Sequence, residues 1–321
     1  MRALVTGAAG FVGSSLVDRL LSQGHEVVGI DSFTPYYDRK VKESNLSGAR
    51  ESKLFSFHEI DLVSAPLEEI IDGVTDVFHQ AGQPGVRASW GSDFQEYVQW
   101  NIWATQRLLE ACKSNSTIKS FVAASSSSVY GNAEHHPTSE SDLPLPISPY
   151  GVTKLAAEQL CSLYGTEFGL PTLSLRYFTV YGPRQRPDMA ISRIIAAALN
   201  QSEFIIFGNG KQKRDFSFID DIVEANIMSS NQMNLGMKSG TVLNAGGNRV
   251  VSILEIIEII EDIVEKKVNI RHRVSENGDP STTRADISII QSSVGWSPKT
   301  TILQGLKSQV EWARNVKLGW E

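Results

Sequence analysis

Tyr150 and Lys154 stand four residues apart in the segment Ser148-Pro149-Tyr150-Gly151-Val152-Thr153-Lys154. Ser148 is a good helix N-cap, and Pro149 suits the first helical position because its missing N–H would be unpaired there anyway. On such a helix the phenol and the ammonium lie one above the other on a single face. A neighbouring ammonium favours phenolate, so the spacing predicts a Tyr150 pKa below its ordinary value of about 10. A tyrosine tuned this way can take a proton from a hydroxyl near neutral pH. Alone, Tyr-x-x-x-Lys is a short and unspecific pattern. What precedes it in the chain gives it weight.

The elements that would position this pair begin at the first residue. Arg2 to Thr6 reads as a buried strand, Gly7-x-x-Gly10-x-x-Gly13 as a glycine turn, and Ser14 to Gln23 as a helix with Leu16, Val17, Leu20 and Leu21 on one side. Strand, glycine turn and helix form the context of a dinucleotide fingerprint, with the pyrophosphate at the helix N-terminus. Phe11 and Val12 fall inside that turn. A second strand, His25 to Asp31, ends in an acid about twenty residues after the fingerprint. A carboxylate there accepts hydrogen bonds from the adenosine ribose and repels a 2′-phosphate, which favours NAD over NADP.

Strands and helices alternate up to about residue 180. Strands are expected over Lys53–His58, Thr75–Gln80, Ile118–Ser125 and Pro171–Tyr177, with helices over Phe94–Cys112 and Pro149–Phe168. This alternation predicts an α/β, Rossmann-type doubly wound parallel sheet with ligands at the carboxyl ends of its strands. Beyond Val180 the pattern loosens around Gly182-Pro183, Gly208-Asn209-Gly210 and Gly246-Gly247. Helices are expected there over Ile219–Ser230 and Ser252–Glu265, and a strand over Val268–Val274. The expected organisation is an NAD-binding domain over 1–180 and a smaller mixed α/β substrate domain over 181–321, partly interleaved with the first.

Composition narrows the class. A net charge of −6 argues against nucleic acid or a membrane surface as the main partner. The two cysteines, Cys112 and Cys161, sit in amphipathic helical stretches and suggest reduced buried thiols, with no metal site or disulfide framework. His135-His136 reads as an exposed loop beside Pro137. No apolar run approaches the ~18 residues of a membrane span. The fingerprint starts almost at residue one, leaving no separate signal segment, so the expected location is cytoplasmic.

Three ordered motifs, the glycine turn, Ser126-Ser127-Ser128-Val129-Tyr130-Gly131 and Tyr150-x-x-x-Lys154, resemble the extended short-chain dehydrogenase/reductases. Arg176 to Pro183 and Arg214-Asp215-Phe216 match later stretches of the nucleotide-sugar group of that family. Within it, Gln80 to Ser89 and Pro183 to Ala190 are most similar to UDP-glucuronate 4-epimerases.

The resemblance implies a 4-epimerase working through a transient 4-keto sugar with tightly bound NAD. Tyr150 would be the base, Lys154 would lower its pKa and hold the nicotinamide ribose, and Ser126 would bond the same oxygen. Gly7, Gly10, Phe11, Val12, Gly13, Asp31, Asp61, Leu62, Gln80, Ala81, Gly82 and Tyr177 would complete the cofactor site. Pro84, Arg87, Ser127, Ser128, Thr179, Arg186, Arg214 and Arg284 would hold the UDP-sugar. Related dehydratases and decarboxylases carry an acid where Ser127 and Ser128 stand, so those reactions lose their catalyst. Arg186, with Ser127 and Ser128, would clamp a uronate carboxylate, with Arg184 as an alternative. Epimerisation of neutral UDP-hexoses, decarboxylation, and a non-catalytic NAD-binding redox sensor are the competing readings. Helices 94–112 and 149–168 would form a homodimer interface.

Overall fold

The computed structural model describes residues 1–274 and 280–316. The first half supplies strands β1 (Arg2–Thr6), β2 (Glu26–Asp31), β3 (Phe55–Glu59), β4 (Asp76–His79), β5 (Ser120–Ser126) and β6 (Thr172–Tyr177). The second supplies β7 (Thr179–Tyr181), β8 (Glu203–Phe207), β9 (Lys213–Phe218), β10 (Thr241–Ala245), β11 (Val250–Ser252) and β12 (Asn269–Arg273). The main sheet has seven strands in the order β3-β2-β1-β4-β5-β6-β10, and every neighbouring pair is parallel. Its central strands are buried on both faces, which is why Ala3-Leu4-Val5 and Val27-Val28 read as continuous apolar runs instead of alternating. The strand order reverses between β1 and β4, and their carboxyl ends part there to leave a crevice.

Each face has its own core. On one, helices Phe11–Ser22 and Ile219–Asn234 pack through Leu16, Val17, Ile222 and Val223. On the other, helices Ala104–Lys113 and Pro149–Phe168 bury Leu108, Leu109, Cys112, Cys161 and Tyr164. Beyond β6 the chain builds a smaller lobe from a three-stranded sheet (β11-β9-β7), the β8–β12 pair and helices Ala190–Asn200, Ile253–Val264 and Ile302–Asn315. It returns to the main sheet in between, where β10 pairs with β6.

Three elements depart from the sequence reading. The first helix opens at Phe11 instead of Ser14, so the last fingerprint glycine lies inside its first turn. The stretch 94–112 is not one regular α-helix: Val98–Trp103 forms a π-helical segment between α-helical ends. Thr105 donates its hydroxyl to the Asn101 carbonyl at 2.7 Å, which satisfies an acceptor in the widened turn. The helix from Ile219 runs on to Asn234, because Ser230 and Asn234 both donate to Asp76 Oδ1, at 2.7 and 3.0 Å.

A buried ion pair ties the Pro149–Phe168 helix to the sheet. Arg176 of β6 meets Glu158 of the Pro149–Phe168 helix through Nε–Oε2 at 2.9 Å and Nη2–Oε1 at 2.6 Å. Ser125 of β5 donates to Glu158 Oε2 at 2.6 Å, and Arg176 Nη1 donates to the Tyr130 hydroxyl at 2.6 Å. Tyr130 in turn donates to Asn244 Oδ1 of β10 at 2.7 Å. Truncating one partner strands a buried charge. Arg176→Met should therefore lose about 3–5 kcal/mol of stability in urea unfolding, and Arg176→Met with Glu158→Leu should recover much of it. A single variant within ~1 kcal/mol of wild type would show that the pair is not structurally important.

Candidate active site

The crevice between the β1 and β4 ends is lined by all the residues that the fingerprint and its companions single out. Gly7, Gly10, Phe11, Val12 and Gly13 form one wall, Asp31, Asp61 and Leu62 another, and Gln80, Ala81 and Gly82 the floor leading to Tyr150, Lys154 and Tyr177. Gly7 has φ +66°, and a Cβ there would sit 2.9 Å from the Ala81 nitrogen, so only glycine lets the β1 and β4 loops approach. At Gly13 a Cβ would collide with the Gly7 carbonyl. The turn is thus closed tightly enough to bring the first N–H groups of the helix to the crevice, the arrangement that suits a pyrophosphate. Asp31 ends β2 with Oδ2 accepting from Ala9 N at 3.1 Å and Oδ1 from Phe33 N at 2.8 Å, which fixes its carboxylate beside the turn. These residues fit a dinucleotide with a free 2′-hydroxyl.

Tyr150 and Lys154 reach this crevice from the first turns of their helix. Ser148 caps it by accepting from Gly151 N at 3.1 Å, and Pro149 takes the first turn, as the sequence indicates. Gly151 is needed for a packing reason, because a Cβ there would lie 2.6 Å from the Ser128 carbonyl oxygen. The close approach docks the helix against the turn Ser127–Val129. Ser126, at the end of β5, accepts from Ser128 N at 3.1 Å, and its side chain acts on the Tyr150 phenol in the direction that favours phenolate. Asn101, projected from the π-helical segment, accepts from Gln83 N at 2.7 Å and donates to Thr153 at 3.0 Å, bracing the back of the site.

The electrostatics correct the expectation for Tyr150. Burial pushes its pKa above the ordinary tyrosine value, while the Ser126 side chain and the Arg186 charge act in the opposite direction. Lys154 does not supply the counter-charge in this structure. Its ammonium donates to the Ala124 carbonyl at 2.5 Å, and burial lowers its pKa to about 8. Helical spacing aligns the two stems, but the lysine head turns toward the end of β5. Arg186 is the cation that acts on the phenol.

The remaining sequence candidates are divided between two regions. Arg186 and Pro84 line the crevice with Tyr150. Ser127 and Ser128 lie half-buried in the turn after β5, outside the crevice lining that includes Arg186. Arg184 is drawn away into an ion pair with Asp18 at 2.6 Å. Arg87 stacks over Phe207 of β8 at 4.3 Å. Arg214 reaches the Ser281 carbonyl at 3.4 Å, and Arg284 is exposed one residue before Ala285, whose N–H bonds Asp215. Thr179 begins β7, paired with Phe216. These last four residues lie outside the crevice lining, toward the smaller lobe.

Tyr36, Tyr37, Lys42 and Trp100 also line the crevice and carry no motif that would mark them. The available signal was positional: residues 32–42 follow directly on the carboxyl end of β2, where parallel sheets place their ligands. Lys42 is buried and donates to the Thr34 carbonyl at 3.0 Å. Trp100 Nε1 donates to Asp61 Oδ2 at 3.2 Å. Among the described residues no group of three His, Cys, Asp or Glu side chains gathers to hold a metal, and no helix is long and apolar enough to cross a membrane.

Comparison with known proteins agrees with this geometry. Residues 3–246 match the NAD dependent epimerase/dehydratase family. The chain belongs to that family. It is 38% identical over 322 residues to a UDP-glucuronate 4-epimerase of Thermodesulfobacterium geofontis, covering 98% of this chain and 97% of the other. It is 42% identical over 320 residues to an uncharacterised UDP-glucose epimerase of Bacillus subtilis, covering 99% and 100%. Among solved structures, UDP-glucuronic acid 4-epimerase of Bacillus cereus in complex with UDP-glucuronic acid and NAD superposes with a TM-score of 0.93 at 42% identity, over 98% of this chain and 99% of that one. As a member of an NAD-dependent family, this protein uses NAD as its cofactor.

The tuning of Tyr150 is testable without turnover. Because the Ser126 side chain favours phenolate, Ser126→Ala should raise the Tyr150 pKa further. Ultraviolet difference titration against Tyr150→Phe would read it. An unchanged or lower pKa in Ser126→Ala would contradict an influence of Ser126 on the phenol.

Proposed function

We propose that this protein is a UDP-glucuronate 4-epimerase, interconverting UDP-glucuronate and UDP-galacturonate. The observation that carries the reading is that Arg186 lines the crevice with Tyr150 and its charge is felt by the phenol. A cation beside the base that works at C4 is well placed for the carboxylate two carbons away, and neutral hexoses offer it no anion.

Tyr150 takes the proton of the sugar 4-hydroxyl, and Ser126 holds the same oxygen while the carbonyl forms. Bound NAD would supply the hydride acceptor and donor at C4, and the 4-keto sugar would turn about its link to the diphosphate between the two transfers so that its other face is reduced. Tyr150 then gives its proton back to the new 4-hydroxyl. Lys154, buried at the end of β5, holds the nicotinamide ribose. Asp31 receives the adenosine ribose, and Asp61 with Leu62 borders the adenine. Arg87, Arg214 and Arg284 face the nucleotide diphosphate, and Thr179 and Pro84 border the sugar. In this division of labour residues 1–180 hold NAD and the catalytic groups, and 181–321 supply much of the UDP-sugar site, with Pro84, Arg87 and Thr179 joining it from the first part.

A uronate carries a hazard that the site must contain. Once C4 is a ketone the C6 carboxylate belongs to a β-keto acid, and it leaves as CO₂ when the C5–C6 bond aligns with the carbonyl π system. A guanidinium that grips the carboxylate can hold that bond near the ring plane. The turn Ser126–Ser128 offers hydroxyls and no carboxylic acid, so elimination of water across C5–C6 has no acid there to drive it.

We also place the protein in the cytoplasm as a homodimer. Both cysteines are free and buried, which suits a reducing compartment. Val98 and Trp103 on one helical stretch and Val152, Leu163 and Phe168 on the other are exposed, although the two stretches pack side by side. A second copy laid across them would bury this apolar face. Light scattering should give a dimer at micromolar concentration, and Leu163→Arg a monomer. A wild-type monomer would reject the interface.

The deciding experiment is NMR of the purified protein with UDP-glucuronate and no added NAD. UDP-galacturonate without a pentose product is expected, and Tyr150→Phe should lose on the order of 10²-fold or more in turnover. A pentose product would mean decarboxylation. Reaction with UDP-glucose but not UDP-glucuronate would move the assignment to a neutral-sugar epimerase, and Tyr150→Phe with full turnover would remove Tyr150 as the base.

A further inference from the structure

The loop between β7 and helix Ala190–Asn200 fixes Arg186 from several sides. Gln185, 1% exposed, donates to the Val180 carbonyl at 2.9 Å. Its Oε1 accepts from Ser192 N at 3.1 Å and from Gln309 Nε2 at 2.8 Å. The loop is thereby rooted in the core of the smaller lobe. Immediately after Arg186, Met189 N bonds the Arg186 carbonyl at 3.2 Å and closes a turn with Pro187 at its second position. That turn brings Asp188 back alongside the guanidinium.

The contact is directional. Arg186 Nε and Nη2 donate to Asp188 Oδ1 and Oδ2, each at 3.0 Å. Guanidinium has a side edge carrying Nε and one terminal nitrogen, and an end edge carrying both terminal nitrogens. Asp188 takes the side edge. Among the described residues the hydrogen bonds of Arg186 leave from Nε and Nη2, so the Nη1 donors remain for an acceptor in the crevice. Asp188 Oδ2 is also reached by the Tyr36 hydroxyl at 3.4 Å, from the loop five residues after Asp31.

We propose that Asp188 is a positioning residue that holds Arg186 by its side edge, aims the end edge at the substrate carboxylate, and is itself tied through Tyr36 to the cofactor wall. The inference rests on the assignment of Arg186 to the uronate. Its physical basis is the long arginine side chain, which carries considerable rotamer freedom and binds better when that freedom is already spent. A planar fork that is mis-aimed also grips the carboxylate through one oxygen instead of two, leaving the C5–C6 bond free to turn toward the orientation that loses CO₂.

The test compares Asp188→Asn, Arg186→Gln and the double variant by steady-state kinetics with UDP-glucuronate, product NMR and calorimetric UDP binding. Asp188→Asn should raise KM about tenfold, the scale of one charge-assisted hydrogen bond, with a smaller change in kcat. It should also raise the pentose by-product and leave UDP affinity unchanged, since UDP has no sugar carboxylate. In the Arg186→Gln background it should add nothing. Should Asp188→Asn fail to fold, Tyr36→Phe should show the same split with a KM rise of about threefold.

The outcomes separate the two claims. Arg186→Gln raising KM while Asp188→Asn does not would overturn the positioning role and leave the carboxylate assignment intact. An equal effect of Asp188→Asn with or without Arg186 would overturn it as well, because Asp188 would then act by another route. An unchanged KM in Arg186→Gln would remove the carboxylate assignment, and the role of Asp188 with it.

Discussion

The catalytic end of this molecule depends on a buried guanidinium–carboxylate pair that substrate never meets. Arg176 and Glu158 lie at 3% and 2% exposure, so each needs the other and each needs its remaining hydrogen bonds filled. Ser125, Tyr130 and, through it, Asn244 fill them. Glu158 stands one helical turn beyond Lys154, and Ser125 is the neighbour of Ser126. The pair therefore sets how the helix of Tyr150 and Lys154 sits against the strand end that carries Ser126. An apolar contact could supply comparable stability but would allow the helix to slide, whereas a bidentate ion pair does not.

Burial sets the charges around the site in a consistent way. His79, below the β4 end, sits between Thr6 and Thr105 and is held neutral, its pKa lowered to about 3. Burial moves Lys154 toward neutrality and Tyr150 toward the phenol. A cationic nicotinamide ring would favour the phenolate in the same space, so the proton on Tyr150 is coupled to what occupies the crevice. Arg186, paired with Asp188 on one edge, brings a positive charge near the phenol without an unbalanced field.

How much of this was readable from the chain differs by distance scale. The local patterns carried over closely: the Ser148 cap, the Pro149–Phe168 helix and Asp31 at the end of β2 lie where their spacing puts them, and the first helix only opens three residues early. The crevice was readable too, because a reversal of strand order creates it and every fingerprint residue points there. The direction of the Tyr150 shift was not, since i and i+4 spacing fixes stems, not the heads of long side chains, and desolvation is invisible in sequence. The π-helical segment at Val98–Trp103 was hidden because its side-chain pattern still looks helical. Tyr36 and Asp188 were missed for another reason: 152 residues separate them, and each is an ordinary loop residue until the lobes meet.

The return of the chain to the main sheet at β10 also governs when the protein can fold during synthesis. A nascent chain that has released only its first 180 residues holds six strands of the sheet, with β6 as an open edge and one face lacking helix Ile219–Asn234. Unpaired edges and bare apolar faces are where partly made chains stick to one another. The stretch from Thr179 to Phe218, which builds part of the smaller lobe, must leave the ribosome before that edge is covered. The last strand to join the seven-stranded sheet is thus made after the first part of the smaller lobe, and neither unit matures ahead of the other.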